Sequence, residues 1–527
     1  MTLVRLMVHR HRVLLASWSV LLVALAGATV SAYRSTYPTA EQRRLAVELA
    51  QHNAATVLLY GNLPDPGTPA QMFAWEIGAF ATILAAVMAV LVAVALTRSA
   101  EDDGTLELVR SCGVAPRVPL WSALAILAVV AAVLAAGCTG AAGLHAGRVD
   151  GVTWSGAAAF GSVVGVTFLL VAVLTAGLAQ VVSTAGGART TGLAAVGAAF
   201  VVRSIADTRH LDWLNWFSPL GLRAGVRPFT GDRWWVLAAY GGLTVVLAWL
   251  ATVLHRRREY RAGLVRPRDR RDTRLNIRSS LGLAARLARR PVAAWTVAVA
   301  AVGTLFSAMG SGVVDLSRRD DVGGFLGAQL GGSDPVAGYL AYSATIVGIL
   351  ASTYAVGSVL RSRHDEAAGL TDHVLATGVR RWQPLAAQVA VTALGSGAVL
   401  VATGALNALV APSVIDGTDV AGRSFGYITG QWPATMVMAG WTALLVGWWP
   451  RLTSLAWLPL VASATLALLG PLLGVPADVR ALGIFQHVPD VAGPDPDVRA
   501  LAVLLACAAA AALSGVVGTV RRDVMTG

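Results

Sequence analysis

Long apolar segments alternate with short polar ones along the whole chain. Each apolar segment is about long enough to cross the roughly 30 Å hydrocarbon core of a bilayer. Because lipid offers the backbone no hydrogen-bond partners, these segments predict helices. The pattern therefore predicts an all-α polytopic membrane protein with about twelve transmembrane helices. The windows, none of which contains Asp or Glu, are 13–33, 78–97, 119–144, 157–181, 185–205, 235–255, 292–313, 340–360, 385–411, 432–449, 452–474 and 498–519.

Composition supports this class and excludes others. Only 13% of the residues are charged, against about 25% in soluble domains. All 41 basic residues are Arg, and the chain contains no Lys. A P-loop needs a Lys that reaches the phosphates, so we expect any ATP to be hydrolysed by a separate subunit. Cys112, Cys138 and Cys507 form no metal-binding spacing, and we expect no metal, no cofactor bound by this chain and no nucleic-acid partner.

The distribution of Arg predicts the orientation. If the N-terminus is cytoplasmic, 27 of the 41 Arg residues fall in inside segments, as the positive-inside rule requires. We therefore expect a multi-pass protein of the cell membrane with both termini in the cytoplasm. The net charge of +12 then reflects Arg-rich loops facing anionic lipid.

The segment 256–290 carries thirteen Arg residues and divides the chain into halves. We predict a first six-span repeat at 1–255, an Arg-rich cytoplasmic linker at 256–290 and a second six-span repeat at 291–527. The linker is either a solvated segment that anchors the topology on anionic lipid or a regulatory segment that contacts a partner. We expect 283–290 to form an interfacial helix before the seventh span, as 2–12 does before the first.

An internal repeat is the most informative feature. The segment after the second span, 98–120, aligns without a gap with the segment after the eighth, 363–385, at an offset of 265. Eight of the 23 positions are identical, including Glu101 with Glu366 and Gly104 with Gly369, and Glu107 matches Asp372 in charge. The halves are therefore a duplication, and an even number of spans in each makes the repeats parallel.

Two equivalent cytoplasmic loops suit a partner with two equivalent docking surfaces, such as an ATPase dimer. Gly104 and Gly369 permit a turn, and Pro119 and Pro384 suit the first turn of the following span. The carboxylates of the two loops are candidates to pair with basic groups of a partner. The alternative is an ordinary polar loop that caps two helices.

The loop motif, Arg98-x-x-Glu101-x-x-Gly104-x-x-Glu107 and its second copy, resembles the loop after the second span of type-2 ABC exporter permeases. The duplicated twelve-span layout resembles the polyketide-antibiotic (tetronasin-type) branch. The resemblance implies that a separate ATPase homodimer binds ATP-Mg and that the loops act as coupling helices. Under that resemblance the residues that couple to the ATPase are Glu101, Gly104, Glu107, Glu366, Gly369 and Asp372.

Two further segments are similar to extracellular re-entrant hairpins of this family. The first, Trp216 to Gly221, contains Phe217, Ser218 and Pro219. The second contains Phe485, His487 and Pro489 but lacks the Ser-Pro pair. The alternative for both is an interfacial loop, with His487 a surface histidine.

An ion-coupled secondary transporter is the second function considered. Such proteins usually carry ionisable groups inside the membrane, whereas Glu76 falls just before the second window and Arg189, Arg203 and Arg499 fall near window ends, where they can snorkel. The third class considered is a membrane enzyme or a mechanotransmitting permease. The sequence contains no catalytic motif of the kind an enzyme needs, and it lacks the large extracellular domain expected of a mechanotransmitter. We therefore predict an ABC exporter permease for hydrophobic or amphipathic, antibiotic-like compounds. The sequence identifies no residues that line a substrate site.

Overall fold

The computed structural model describes residues 3–31, 33–34, 39–52, 54–258, 263–264, 277, 279–317, 334–468, 470, 475–488 and 498–522. These residues form helices joined by turns, with no strand among them. The chain divides into two compact units, Met1–Arg271 and Asp272–Gly527.

The first unit contains eleven α-helices among its described residues. They are α1 (Leu3–Thr29), α2 (Ala40–His52), α3 (Ala54–Tyr60), α4 (Pro69–Leu96), α5 (Arg98–Asp102), α6 (Thr105–Ser111), α7 (Val118–Gly143), α8 (Trp154–Val181), α9 (Ala185–Thr208), α10 (Leu222–Val226) and α11 (Trp234–Arg257). Two 3₁₀ helices, Asp212–Phe217 and Pro219–Gly221, precede α10.

The second unit contains nine α-helices among its described residues. They are α12 (Ser280–Ser317), α13 (Pro335–Ala367), α14 (Leu370–Leu375), α15 (Gln383–Val410), α16 (Val420–Thr429), α17 (Trp432–Trp448), α18 (Leu458–Leu468), α19 (Ala477–Arg480) and α20 (Val498–Arg521). Its 3₁₀ helices are Ala411–Ser413, Thr453–Trp457 and Ile484–His487.

Ten helices of the described chain are long and apolar enough to cross a membrane. This confirms the predicted all-α polytopic fold. The remaining two windows are shorter helices, namely Trp432–Trp448 with 17 residues and the stretch Thr453–Leu468. A span needs about 17 to 25 residues, so these two lie at or below the lower limit. Trp449 and Pro450 break the helix between them, as their sequence indicates.

The helices extend beyond several predicted windows. Helix α4 begins at Pro69 because Thr68 caps it, its hydroxyl accepting from the Gln71 N–H. The segments 3–12 and 283–290 are helical, and each is continuous with the span that follows, in α1 and α12. No breaker separates the two parts, and Pro291 lies inside α12 without ending it. Helix α12 therefore begins inside the predicted linker, about half of which lies outside the described residues.

The same three helix pairings occur within each unit. In the first unit α1 packs on α7, α4 on α8, and α11 on α8. In the second unit α12 packs on α15, α13 on α17, and α20 on α17. The last long helix of each unit thus packs on an interior helix that also contacts the helix preceding the repeated loop.

Small residues allow these helices to approach closely. A Cβ added at Gly515 of α20 would collide with the backbone of Ala443 in α17, and one at Gly447 would collide with Gly515. In the first unit a Cβ at Gly161 of α8 would collide with the Ala135 carbonyl of α7. Contacts between small residues are the usual way in which helices associate in lipid.

Candidate functional site

The repeated loop has the same backbone geometry in both units. Gly104 and Gly369 have φ angles of 75° and 71°, in the left-handed region. Their N–H groups donate to the Glu101 and Glu366 carbonyls at 3.4 and 3.0 Å. No atom lies within 4 Å of a Cβ built at either glycine. The backbone conformation rather than lack of space therefore requires glycine at these positions.

A second pair of repeat glycines ends the short helix of each loop. Gly113 and Gly378 have φ angles of 80° and 84°. Their N–H groups donate to the carbonyls of Arg110 and Leu375, each at 3.0 Å. Each loop then leads into a long helix with Pro119 or Pro384 in its first turn, where a missing N–H is tolerated. Three identical positions of the repeat thus have a local structural reason.

Glu101 of the first loop is buried in an ion pair with the last helix of its own unit. The Arg258 side chain, directly after α11, donates Nη1 to Glu101 Oε1 and Nη2 to Oε2, both at 2.8 Å. Arg98 donates to the same Oε2 at 2.8 Å. Arg258 also donates Nε to the Gln180 side chain of α8 at 2.6 Å. One carboxylate therefore connects the loop with α8 and α11.

Glu366 makes the equivalent ion pair in the second unit. Arg522, directly after α20, donates Nη1 and Nη2 to the two carboxylate oxygens, each at 2.6 Å. Its Nη2 also donates to the Val446 carbonyl of α17 at 3.2 Å, and Arg363 Nη1 lies 3.8 Å from Glu366 Oε2. We call Glu101–Arg258 and Glu366–Arg522 the loop–helix ion pairs.

The loop–helix ion pairs change the interpretation of the candidate coupling residues. Glu101 is 2% exposed and Glu366 7% exposed, so both carboxylates are enclosed by their own unit. The hypothesis that loop carboxylates meet basic groups of a partner remains open for Glu107, which is exposed, and for Asp372, which is half-buried. Beside them the apolar side chains of Leu108 and Leu370 are largely exposed.

The Arg10–Asp103 ion pair connects the first loop with the start of α1. Arg10 Nη2 lies 2.7 Å from Asp103 Oδ2, and Nη1 donates to the Thr105 hydroxyl at 2.8 Å. Partial burial would raise the pKa of Asp103, but hydrogen bonds from Thr105 and Arg10 outweigh it and lower that pKa below its usual value. The side chains of this pair are exposed, so its contribution to stability is small.

The first predicted hairpin is a compact turn at the opposite end of the unit from the loop. Ser218 is fully buried, and its hydroxyl donates to the Ala199 carbonyl at 2.7 Å. Pro219 begins the 3₁₀ helix Pro219–Gly221. Phe217 is exposed. The Ser-Pro pair therefore ties the segment to α9, and Phe217 projects from it.

The second predicted hairpin includes the 3₁₀ helix Ile484–His487. Phe485 is buried, and the Ile484 N–H donates to the Ser463 hydroxyl of α18 at 3.1 Å. His487 is exposed, with ring Nε2 2.6 Å from the Ala481 carbonyl. Pro489 lies outside the described residues.

The structure places ionisable groups inside helices that the sequence windows had cut short. Glu76 belongs to α4 and accepts from the Tyr33 hydroxyl at 2.8 Å. Asp207 belongs to α9, and its Oδ2 lies 3.4 Å from Arg203 Nε. Arg203 does not snorkel, because it is 2% exposed and donates to the Leu59 carbonyl at 2.8 Å. Both carboxylates therefore belong to candidate membrane-spanning helices, just beyond the acid-free windows read from the sequence.

The described chain thus has the fold of a polytopic membrane protein, with the same short loop and the same buried ion pair in both units. The C-terminal-domain family described as "Multidrug efflux system permease Rv1217c, C-terminal domain" matches residues 277–519. The chain is also 32% identical, over 99% of its length and 94% of the relative's, to the multidrug efflux system permease protein Rv1217c of Mycobacterium tuberculosis (strain ATCC 25618 / H37Rv). The chain belongs to this family of permeases.

Sequence reasoning missed the arginine partners of Glu101 and Glu366. Each follows the last helix of its half, in the runs Arg256-Arg257-Arg258 and Arg521-Arg522. Their offset is 264 rather than 265, and Arg258 is one of thirteen arginines in its segment. A search for basic residues just after the sixth span of each half would have found both.

Proposed function

We propose that this chain is the membrane-spanning subunit of an ATP-driven ABC exporter for hydrophobic or amphipathic, drug-like compounds. It resides in the cell membrane with both termini in the cytoplasm, and each repeated loop contacts one copy of a separate ATPase homodimer that binds ATP-Mg. The observation that carries the proposal is the duplication of one loop geometry, together with its ion pair, in two units of one chain. The relative's name, a multidrug efflux permease, supports the class of cargo.

The absence of Lys supports the assignment of ATP hydrolysis to a separate subunit. A chain without Lys has no ordinary P-loop, so any ATP that drives transport is hydrolysed by a partner. In the proposed mechanism the ATPase moves each loop when ATP binds. The buried pairs Glu101–Arg258 and Glu366–Arg522 then carry that movement to the last helix of the same unit, because a bidentate Arg–carboxylate contact fixes both partners in orientation as well as distance.

The exposed apolar residues of the loops provide the test. The chain is expressed with the ABC ATPase encoded beside its gene, purified, and analysed for subunit ratio by native mass spectrometry. We expect two ATPase copies per permease. Leu108→Arg combined with Leu370→Arg places a charge on the exposed part of each loop and should release the ATPase.

Leu144→Arg is the matched control. Leu144 is about as exposed as Leu108 but follows the opposite end of α7 from the loop, so it should retain both ATPase copies. The proposal fails if wild-type permease brings no ATPase with it, or if the loop variant and the Leu144 variant behave alike.

Ion-coupled transport is the second candidate function, and Glu76 is the observation that favours it. Its carboxylate lies in a long apolar helix with a tyrosine hydroxyl as donor, and carboxylates at membrane depth often serve proton relays. The two candidates differ in whether transport follows ATP or a proton gradient.

A further inference from the structure

A cavity of about 410 Å³ opens within the first unit, at the end opposite the repeated loop. Its walls come from the segment 62–64, the starts of α4 and α11, the end of α9, and the turn that contains Pro219. Pockets for drug-sized molecules usually measure about 300–1,000 Å³. The cavity is therefore large enough for a small organic ligand.

The charges that line this cavity are unbalanced. Arg223, Arg227 and Arg233 face it, and among the described residues none of the three has a carboxylate within 4.0 Å. Asp207 is already paired with Arg203, which leaves Asp212 as the other acidic residue of the lining. The walls thus carry a net positive charge that favours an anion.

Arg223 is the buried member of the three. It is 8% exposed, and its guanidinium donates to the carbonyls of Tyr60 and Ala74. Burial and, to a smaller extent, the nearby charge of Arg203 lower the pKa of Arg223 to about 10, against the opposing effect of Asp207. A buried guanidinium held only by neutral carbonyls is a favourable partner for a carboxylate, since these bonds use two of its five N–H donors.

Aromatic side chains form the apolar part of the wall. The Trp216 ring stacks on Tyr240, with centroids 5.5 Å apart and planes 19° apart, and lies 5.5 Å from the Trp235 ring. All three residues line the cavity. Flat rings of this kind bind apolar and aromatic surfaces through large contact areas.

We propose that this cavity binds an organic anion, an aromatic compound with a carboxylate, which places its charge against the arginines and its ring against Trp216 and Trp235. Asp207 and Asn215 also line the cavity, and each has one buried side-chain oxygen without a hydrogen-bond partner in the described structure. These oxygens accept from a hydroxyl or amide donor on the ligand. The proposal names a substrate class for the exporter and so rests on the proposed function for its physiological meaning.

Binding to the permease alone tests the site without the ATPase. The full chain is reconstituted in lipid nanodiscs, and binding of 2-naphthylacetate is compared by equilibrium dialysis with that of 2-naphthylacetamide, a neutral compound of the same shape. Empty nanodiscs correct for partition into lipid. We expect the acid to bind at least about tenfold more tightly than the amide, which corresponds to about 1.4 kcal/mol.

Arg227→Gln combined with Arg233→Gln removes the two exposed positive charges of the lining and should abolish most of that tenfold preference. Arg209→Gln is the matched control, because Arg209 is exposed at the same end and does not line the cavity. Trp216→Ala should weaken both compounds and leave the ratio intact.

Equal affinity for acid and amide in the wild type overturns the proposal, as does an Arg209 variant that loses the preference as fully as the lining variant. These outcomes are separate from the ATPase experiment. A permease that binds the acid selectively but recruits no ATPase retains this site and loses the exporter function, and the reverse result retains the exporter and removes the site.

Discussion

At the residue scale, the buried carboxylates of the repeated loops depend on their arginine partners. Replacing Glu101 by Gln leaves the Arg258 guanidinium, itself almost fully buried, without a counter-charge. Breaking a buried pair by removing one partner destabilises a protein by about 3–5 kcal/mol, and the Gln amide recovers only part of that. We expect Glu101→Gln and Glu366→Gln each to lower the unfolding temperature of the purified permease.

The control for this prediction is Glu107→Gln, in the same loop but exposed. Its unfolding temperature should match that of the wild type, since exposed ion pairs contribute about 0–1 kcal/mol. Equal losses of unfolding temperature in all three variants would show that the buried ion pairs contribute no more to stability than the exposed carboxylate does.

The repeat glycines give a second prediction at this scale. Gly104 and Gly369 adopt left-handed φ angles with open space around a Cβ. Alanine there should destabilise the fold by about 1–2 kcal/mol per site, the strain of a left-handed L-residue. Differential scanning fluorimetry of Gly104→Ala and Gly369→Ala measures the effect.

Gly197→Ala in α9 is the matched variant, because Gly197 lies inside a helix and has no atom within 4 Å of a built Cβ. Alanine should leave stability unchanged or raise it there, since Ala is the better helix former. Stabilisation by Gly104→Ala would contradict the conformational explanation.

At the element scale, the contact between α17 and α20 depends on glycine. Gly515→Leu places a large side chain against the backbone of Ala443, and overpacking of this kind usually destabilises by about 1–3 kcal/mol. We expect a lower unfolding temperature in detergent. Gly241→Leu, in α11 of the other unit, has open space around its Cβ and should leave the temperature nearly unchanged; a loss as large as that of Gly515→Leu would refute the close-packing argument.

The positions of the long helices were predictable from sequence, whereas their ends were not. Apolar run length selects spanning helices directly. The ends depend on caps and on buried polar groups, so a rule that excluded acids stopped before Glu76 and Asp207, both of which lie in the helices. Polar residues near helix ends are stabilised by hydrogen bonds and ion pairs in the folded protein, and a hydropathy window does not take these contacts into account.

At the scale of the whole molecule, the duplication was visible in sequence because the loop glycines require one backbone conformation. The loop–helix ion pairs and the cavity were not visible. Arg258 lies 157 residues from Glu101 and Arg223 lies 149 residues from Ala74, so these contacts depend on helix packing. Hydropathy along a single sequence does not register such distant partners, and the basic residue just after the sixth span of each half is the signal that points to the ion pairs.

The source of transport energy is the last prediction and concerns the whole protein. Glu76 is held by the Tyr33 hydroxyl at 2.8 Å, which is consistent with a structural role. With the ATPase subunit, inside-out vesicles should accumulate a fluorescent hydrophobic drug only with ATP-Mg. Glu76→Gln should retain that uptake, because a Gln amide oxygen can still accept from Tyr33, and a protonophore should not reduce it.

Tyr33→Phe separates folding from chemistry in this experiment, since it removes the same hydrogen bond and leaves the carboxyl group in place. If ATP drives transport, any loss in this variant should follow protein stability and not the proton gradient. Uptake that requires a proton gradient, and that Glu76→Gln abolishes while Tyr33→Phe retains it, would assign Glu76 as a proton carrier and replace the ATP-driven exporter by a secondary transporter.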